Sequence, residues 1–307
     1  MFIEYFLRGD YLKDISNWGF YGYGVDSTLE KIELLAPERM PNESEGHRRY
    51  ILKYPRVFEV GVSWEDITEL IASQIGKLLK LKMMDVEIVQ RDSRRGALLK
   101  NFVPYRGQFL EGGSILSEFE EYESTKLLEL KNEHLINAGF DIIERLEYWQ
   151  IIKKEFIAMN FFDILIGNQD RHPFNWMMLY NEDSNKSFSP IYDNGASLGF
   201  RFDDNQLNTY ISNETQLHRY IRNTKVKVGL FEYKQVKAKD LINVLKNRYI
   251  DESELIIAQI ENFNIVRYEE YINRNVYLSE KQKEWLKLII SIRRQYILKW
   301  YEGEEKI

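Results

Sequence analysis

GNQDRHPFN, Gly167 to Asn175, begins where a long apolar stretch ends at Ile166, and FSPIYD, Phe188 to Asp193, follows it after a polar interval. The apolar stretch, Glu144 to Ile166, carries Trp149, Ile152, Phe156 and Met159 along one face at helical spacing, and Gly167 suits its C-terminal end. NWMML (Asn175 to Leu179) and FSPIYD flank the polar NEDSNKS, which reads as a β-hairpin with Asn175 opening one strand and Asp193 closing the other. The order buried helix, polar loop, hairpin gathers Asp and Asn side chains at one end of a helix. Hairpin geometry predicts that Asn175 and Asp193 lie side by side.

Working outward, the pattern downstream of about Ile115 is helical. Ser117 to Leu135 reads as one helix, and Ser279 as the cap of a long last helix with the stripe Trp285, Ile289, Ile292 and Tyr296. Upstream, Lys31 to Ala36, Arg48 to Tyr54, Asp85 to Gln90 and Gly96 to Val103 are short, apolar and bounded by polar turns, as strands are. One helix interrupts them. Ser63 is placed to cap it with Asp66 three positions on, and Ile67, Leu70, Ile71, Ile75, Leu78 and Leu79 follow a 3.6-residue period. The chain therefore reads as α+β in two lobes. Residues 1–105 form a small β-rich lobe with one helix, and residues 106–307 a larger, mainly helical lobe. The boundary falls where Pro and Gly cluster, from Pro104 to Gly113.

Composition narrows the function. With 307 residues and 44% hydrophobic content the chain can bury a substantial core. Its net charge of -6 argues against a dedicated nucleic-acid binder. The basic runs HRRY (His47 to Tyr50) and RDSRR (Arg91 to Arg95) read as solvated faces. No cysteine is present, which excludes disulfides, thiolate zinc sites and cysteine nucleophiles. MFIEYFLRGDYLKD is broken by Glu4, Arg8 and Asp10 and lacks a signal-peptide core, and no apolar run approaches the ~20 residues that span a bilayer. The expectation is a soluble protein without a membrane span.

The polar clusters suit phosphoryl transfer. That chemistry needs a carboxylate beside the attacking hydroxyl, oxygen ligands for Mg²⁺, a cation on the phosphates and a backbone cradle. Asp170 precedes Asn175 by five positions, the separation of base and metal-holding Asn in protein-kinase catalytic loops. Asn175 with Asp193 offers two hard oxygen donors, which suits Mg²⁺. Asp and Asn are also ordinary turn residues, so the case rests on the set rather than on any one of them. His172 either orders the loop, touches a phosphate, or is a hydrogen-bonded structural histidine. Asp163, one turn before the helix end, is a candidate acceptor for the loop backbone. In the first lobe Lys53 lies in RYILKYP, where it either meets a phosphate or sits on a solvent face. Glu69 on the capped helix is its expected carboxylate partner, beside the small Ala72, Ser73 and Gly76, and Glu65 is the rival. Gly19, Gly22 and Gly24 precede a strand and are the candidate cradle.

DILIGNQDRHPFNWMML, followed by SPIYDNGASLGF, resembles the HipA-like protein kinases, and the shorter CtkA-like members most in layout. RYILKYP and TELIASQIGKLL are similar to the segments that carry that family's first-lobe lysine and glutamate. The resemblance spans about Gly19 to Phe200. It implies a bilobal protein-kinase-like fold, ATP with Mg²⁺, and phosphorylation of Ser/Thr hydroxyls on a protein substrate. Asp170 would then be the base, Asn175 and Asp193 the metal ligands, and Lys53, Glu69, Gly22, Gly24 and His172 the nucleotide-facing set. The family often autophosphorylates a serine in its Gly-rich loop, and Ser16, Ser27 and Thr28 are the nearby hydroxyls. It also implies an antitoxin or regulator protein as a possible partner, a toxin–antitoxin setting, and a cytoplasmic or signal-less secreted location. The glycine-bearing segment begins near residue 17, which leaves the extra N-terminal subdomain of HipA unmatched and favours the CtkA-like layout. Three other readings stay open at this level: a lipid or small-molecule kinase of phosphatidylinositol-kinase type, a nucleotide-binding pseudokinase, and a metal hydrolase built on Asp163, Asp170, His172 and Asp193.

Overall fold

The architecture was analysed in a computed structural model, which describes residues 12–24, 30–39, 47–58, 61–103, 108–180 and 185–304. Ser27 and Thr28 lie outside the described residues.

The first hundred residues build a six-stranded sheet. Its strands are β1 (Lys13–Asp14), β2 (Gly19–Tyr23), β3 (Lys31–Arg39), β4 (His47–Lys53), β7 (Val86–Arg91) and β8 (Arg94–Lys100), in the spatial order β1-β7-β8-β4-β3-β2. A two-residue ribbon, β5 (Val57–Phe58) with β6 (Gly61–Val62), leads into helix α1 (Glu65–Leu78). Strand alternation sorts the side chains between two faces. Leu52, Val89 and Leu98 pack with Ile15, Trp18, Ile32 and Leu34 on one face, while Ile88, Ala97 and Leu99 pack with Met84, Val86 and Ile51 on the other. Lys53 pairs across the ladder with Ala97, and Ile51 with Leu99. Directly paired residues share a face. Lys53 therefore points to the side that also carries Phe102 and Tyr192, away from open solvent, and its side chain is 12% exposed.

The basic runs are largely spent on structure. Arg94 pairs with Glu30, Arg95 with Asp66, and Arg91 donates to the Ile15 and Trp18 carbonyls.

Helix α1 departs from the expected cap. Trp64 occupies the N-cap position without a side-chain bond, and Ser63 instead reaches the Glu65 carboxylate. The capping box cannot form because Asp66 is turned onto Arg95, at 2.7 and 3.2 Å. Buried Trp64, whose N–H donates to the Phe200 carbonyl, fixes the helix entry. The apolar stripe is where the period puts it: Ile67, Ile71, Ile75 and Leu79 are buried, in the same core as the later helices. The small residues allow close approach. Ser73 donates to the Met84 carbonyl, and a Cβ on Gly76 would meet the Met83 side chain at 2.2 Å.

Where a single helix was expected from Ser117 to Leu135, a short α2 (Gly112–Leu116) ends first, turns follow to Ser124, and the span then holds α3 (Thr125–Glu129) and the start of α4 (Asn132–Ile143). Glu123 and Asn132 adopt left-handed backbone angles that turn the chain between them, and Ser124 caps α3. Helix α5 runs Trp149–Ile166, starting later than Glu144 because Glu144 is the C-cap of α4 and the chain turns between them. Gly167 ends it at φ +65°, where L-residues are disfavoured. Trp149, Ile152, Phe156 and Met159 are all buried, and each such side chain contributes about 1.5–3 kcal/mol on leaving water.

The hairpin forms as β10 (Met177–Tyr180) against β11 (Lys186–Phe188), with Met178 opposite Phe188. A strand missed in the sequence, β9 (Gln108–Glu111), adds to β10 on its other edge. Two positions differ from expectation. Asn175 closes a 3-10 turn, Pro173–Asn175, ahead of β10, and Asp193 lies beyond β11, after an isolated parallel bridge between Ile191 and Met83. The remainder is helical: α6 (Asp204–Ser212), α7 (Glu214–Arg222), the ribbon β12 (Lys225–Val226) with β13 (Val236–Lys237), α8 (Ala238–Arg248), α9 (Ile250–Glu261), α10 (Ile265–Arg274) and α11 (Glu280–Glu302). Ser279 and Gln282 form a full capping box on α11. Trp285, Ile289 and Tyr296 are buried, and the Trp285 indole donates to the Leu198 carbonyl, which ties the last helix to the segment after Asp193. No helix among the described residues is long and apolar enough to cross a membrane.

Candidate active site

The loop after α5 is organised around Arg171, which is completely buried. Its guanidinium donates to both oxygens of Asp163 (2.9 and 3.0 Å), to Asn194 Oδ1 (2.6 Å) and to the carbonyls of Asn175 (2.9 Å) and Tyr192. Those bonds use the whole fork of the side chain. They also tie the Asn175 and Tyr192 carbonyls to one side chain, so Arg171 joins the hairpin in holding Asn175 near the Asp193 segment. Asp163 thus binds loop side chains rather than the loop backbone, and Asn168 adds a bond to it at 3.0 Å. The Asn168 side-chain oxygen in turn accepts from the Asp170 N–H.

Asp170 emerges from this frame with a half-exposed carboxylate. Asn175 Nδ2 donates to the Asp170 carbonyl at 2.8 Å, leaving Oδ1 as the amide atom able to ligate a cation. His172 is half-buried beside them, and its Nδ1 is a buried atom without a hydrogen-bond partner. Burial pushes the His172 ring below its usual pKa, so it is held neutral; Asp170 offsets this only in part.

Across the cleft, Lys53 Nζ lies 2.7 Å from Asp193 Oδ1. Burial works against the Lys53 charge, but Asp193 and then Glu69 outweigh it and hold the ammonium above its usual range. Burial likewise opposes ionisation of Asp193, yet Lys53 and Arg171 keep its carboxylate below the usual range. Lys53 is therefore paired with Asp193, and Glu69 makes different bonds. The buried Glu69 carboxylate accepts from the backbone N–H groups of Asn194 and Gly195 and from Asn194 Nδ2. Thr68 adds a bond to the Gly195 carbonyl at 2.6 Å. A Cβ on Gly195 would lie 3.0 Å from Glu65, so a larger residue would crowd this approach. Glu65 itself pairs with Arg56. Asp193 sits at φ +57°, a left-handed conformation that Asp tolerates only at some cost. The α1 clamp on the two residues after it over-determines that conformation.

Gly22 and Gly24 lie at the sheet edge in and just after β2, and Gly24 N–H donates to the Lys31 carbonyl. A Cβ on Gly22 would meet nothing within 4 Å, so space above the strand is open there. Phe20, Tyr21 and Tyr23 of the same strand are exposed.

The HipA-like C-terminal domain matches residues 27–252, most of the chain. This chain belongs to the HipA-like C-terminal domain family. A curated relative, the serine/threonine-protein kinase CtkA of Helicobacter pylori strain J99, is 22% identical over 241 residues, covering 75% of this chain and 70% of that one. The crystal structure of the H. pylori proinflammatory kinase CtkA superposes with a TM-score of 0.69 at 20% identity, over 89% of this chain and 93% of that one. A HipA–HipB–operator DNA complex from Shewanella oneidensis MR-1 matches with a TM-score of 0.48 at 13% identity, over 95% of this chain and 68% of that one. The HipA-like chain has a bilobal kinase-like fold, a β-rich first part on a helical second part.

The donors of this HipA-like site fit a nucleotide with Mg²⁺. Asp193 and Asn175 Oδ1 are hard oxygens, and a cation that keeps water and phosphate oxygens needs few protein ligands. Among the described residues no three His, Cys, Asp or Glu side chains gather into a metal cluster, and Asp163 is consumed by Arg171, which removes it from the hydrolase set. Three participants escaped the sequence reading. Arg171 sat inside the quoted motif without a role, although a buried Asp eight residues before an Arg is a signal for it. Asn194 followed the quoted Asp193. Lys227, whose Nζ lies 2.9 Å from Asp170 Oδ1, comes from 57 residues downstream and had no local signal.

Proposed function

We propose that this chain is an ATP- and Mg²⁺-dependent protein kinase that transfers the γ-phosphoryl group to serine or threonine hydroxyls, with residues 1–105 and 106–307 as its two lobes. The observation that carries the reading is Asp170: a half-exposed carboxylate on a loop pinned by buried Arg171 and Asn168, with the Asn175 side-chain amide bonded to the Asp170 carbonyl. In this reading Asp170 accepts the proton of the acceptor hydroxyl as the new O–P bond forms and the bond to the leaving diphosphate breaks. Asn175 and Asp193 are the residues that would hold Mg²⁺, which when bound neutralises phosphate charge. Lys53 exchanges Asp193 for phosphate oxygens. Glu69 acts through the Asp193–Gly195 segment, which it fixes. The backbone at Gly22 and Gly24 faces the phosphates, and His172, held neutral, supports the loop.

The acceptor is a protein, and an antitoxin-type or other regulator protein is the further partner this reading expects, in the cytoplasm or after export. The test is incubation with γ-labelled ATP and Mg²⁺, offering the chain itself, a generic protein acceptor, and phosphatidylinositol vesicles. Label on protein serine or threonine is expected. Label confined to lipid would replace this reading with the lipid-kinase one, and nucleotide binding without any transfer would replace it with the pseudokinase.

A further inference from the structure

The turn that follows β12 is bonded to the catalytic loop at several points. Gly229 N–H donates to the Arg171 carbonyl at 2.8 Å, the Gly229 carbonyl accepts the Trp176 indole N–H at 2.8 Å, and Gln235 donates to the Gln169 carbonyl at 3.0 Å. The turn is strained. Val228 lies at φ +69° and Gly229 at φ +74°, and a β-branched residue in that region costs about 1–3 kcal/mol. What the turn presents is Lys227, 19% exposed, with Nζ 2.9 Å from Asp170 Oδ1. The pair is largely shielded on the lysine side and half-exposed on the carboxylate side. The buried Val228, Leu230 and Phe231 anchor the turn in the core and fix the place from which Lys227 reaches Asp170.

The loop itself supplies no free cation. Its one arginine, Arg171, is spent on Asp163, Asn194 and two carbonyls. Lys53 stands on the other side, on Asp193. Among the described residues the cation bonded to Asp170 is Lys227. A base within hydrogen-bond reach of the acceptor oxygen sets an ammonium on that base within a side-chain swing of the phosphoryl oxygens.

We propose that Lys227 is a catalytic residue of the transfer step, its ammonium passing from Asp170 to the oxygens of the transferred phosphoryl group. The inference rests on the kinase reading above. As the acceptor oxygen bonds phosphorus, the bond to the diphosphate breaks and its electron pair leaves with the diphosphate. The hydroxyl proton goes to Asp170. Lys227 keeps its proton throughout and offsets charge on the equatorial oxygens, a role typical of preorganised donors.

The experiment uses the full chain as wild type, Lys227→Met and Lys227→Arg. It measures kcat and acceptor KM, the affinities for ADP and for a non-hydrolysable ATP analogue, and the melting temperature. Lys227→Met is expected to lose about 10²-fold in kcat with KM unchanged. It should weaken the ATP analogue several-fold and leave ADP affinity alone. Lys227→Arg should recover part of the kcat. An active wild type with Lys227→Met at wild-type kcat overturns the role of Lys227 alone, as does equal loss of ADP and analogue affinity with a lowered melting temperature in both variants. A wild type that transfers nothing to any acceptor overturns the proposed reaction and this role with it.

Discussion

The loop from Gly167 to Asn175 and the strand β2 from Gly19 to Tyr23 face the same proposed reaction and are built in opposite ways. The loop is anchored by a fully buried Arg171 with five hydrogen bonds, by Asn168 and by a left-handed glycine. The strand sits at a sheet edge with exposed Phe20, Tyr21 and Tyr23 and a register shift between Phe20 and Gly22. The difference is physical. A proton acceptor has to be placed to within a few tenths of an ångström before the substrate arrives, whereas a phosphate-facing backbone has to let a bulky ligand in and out.

The contrast can be broken most forcefully at Arg171. Arg171→Met removes the positive partner of buried Asp163 and should cost about 3–5 kcal/mol of stability, read by denaturant unfolding. A loss below about 1 kcal/mol would mean that the loop is not held this way. Glu69→Gln keeps the shape of the clamp but not its charge, and should cost about 1.5–3 kcal/mol while loosening the segment after Asp193. Hydrogen exchange at Asn194 and Gly195 checks the second half of that statement. Asp193→Ala should weaken Mg²⁺-dependent nucleotide affinity by about tenfold, near 1.4 kcal/mol, and calorimetry with and without Mg²⁺ would show the metal dependence vanish.

His172 gives a pH signature. Burial depresses its folded pKa, so near pH ~6.5 the unfolded ring takes up a proton that the folded ring refuses. The stability it supports is complete above that pH and declines as pH falls through the folded value. His172→Gln should flatten the stability curve between pH 7 and 5, and an unchanged slope would count against a neutral, buried ring. The smallest effect is expected on the open side: Tyr21→Ser should alter stability by no more than about 0.5 kcal/mol.

Much of this was legible in the sequence where one period or one residue type dominated. The stripe Trp149, Ile152, Phe156 and Met159, the Gly167 stop and the Ser279 cap are local patterns with local causes. The misses share another cause. Ser63 lost its cap because Asp66 found Arg95 across space, and the helix expected from Ser117 broke because Glu123 and Asn132 adopt left-handed angles that no periodicity registers. Strand β9 was hidden because it is short and exposed, and pairs only through the distant β10. In the site, the sequence brought forward the residues of the quoted motifs but not the bonds among them. Lys53 meets Asp193 rather than Glu69, Arg171 bonds the Asn175 and Tyr192 carbonyls, and Lys227 arrives from a remote turn.

The central claim is that the rigid loop exists to hold Asp170 as a proton acceptor. It is tested most directly by comparing wild type with Asp170→Asn for γ-phosphoryl transfer and for ATP affinity in the same preparation. The account predicts a loss of about 10²–10⁴-fold in transfer with nucleotide affinity essentially unchanged, because a base acts in the transition state. Transfer at the wild-type rate by Asp170→Asn would contradict it.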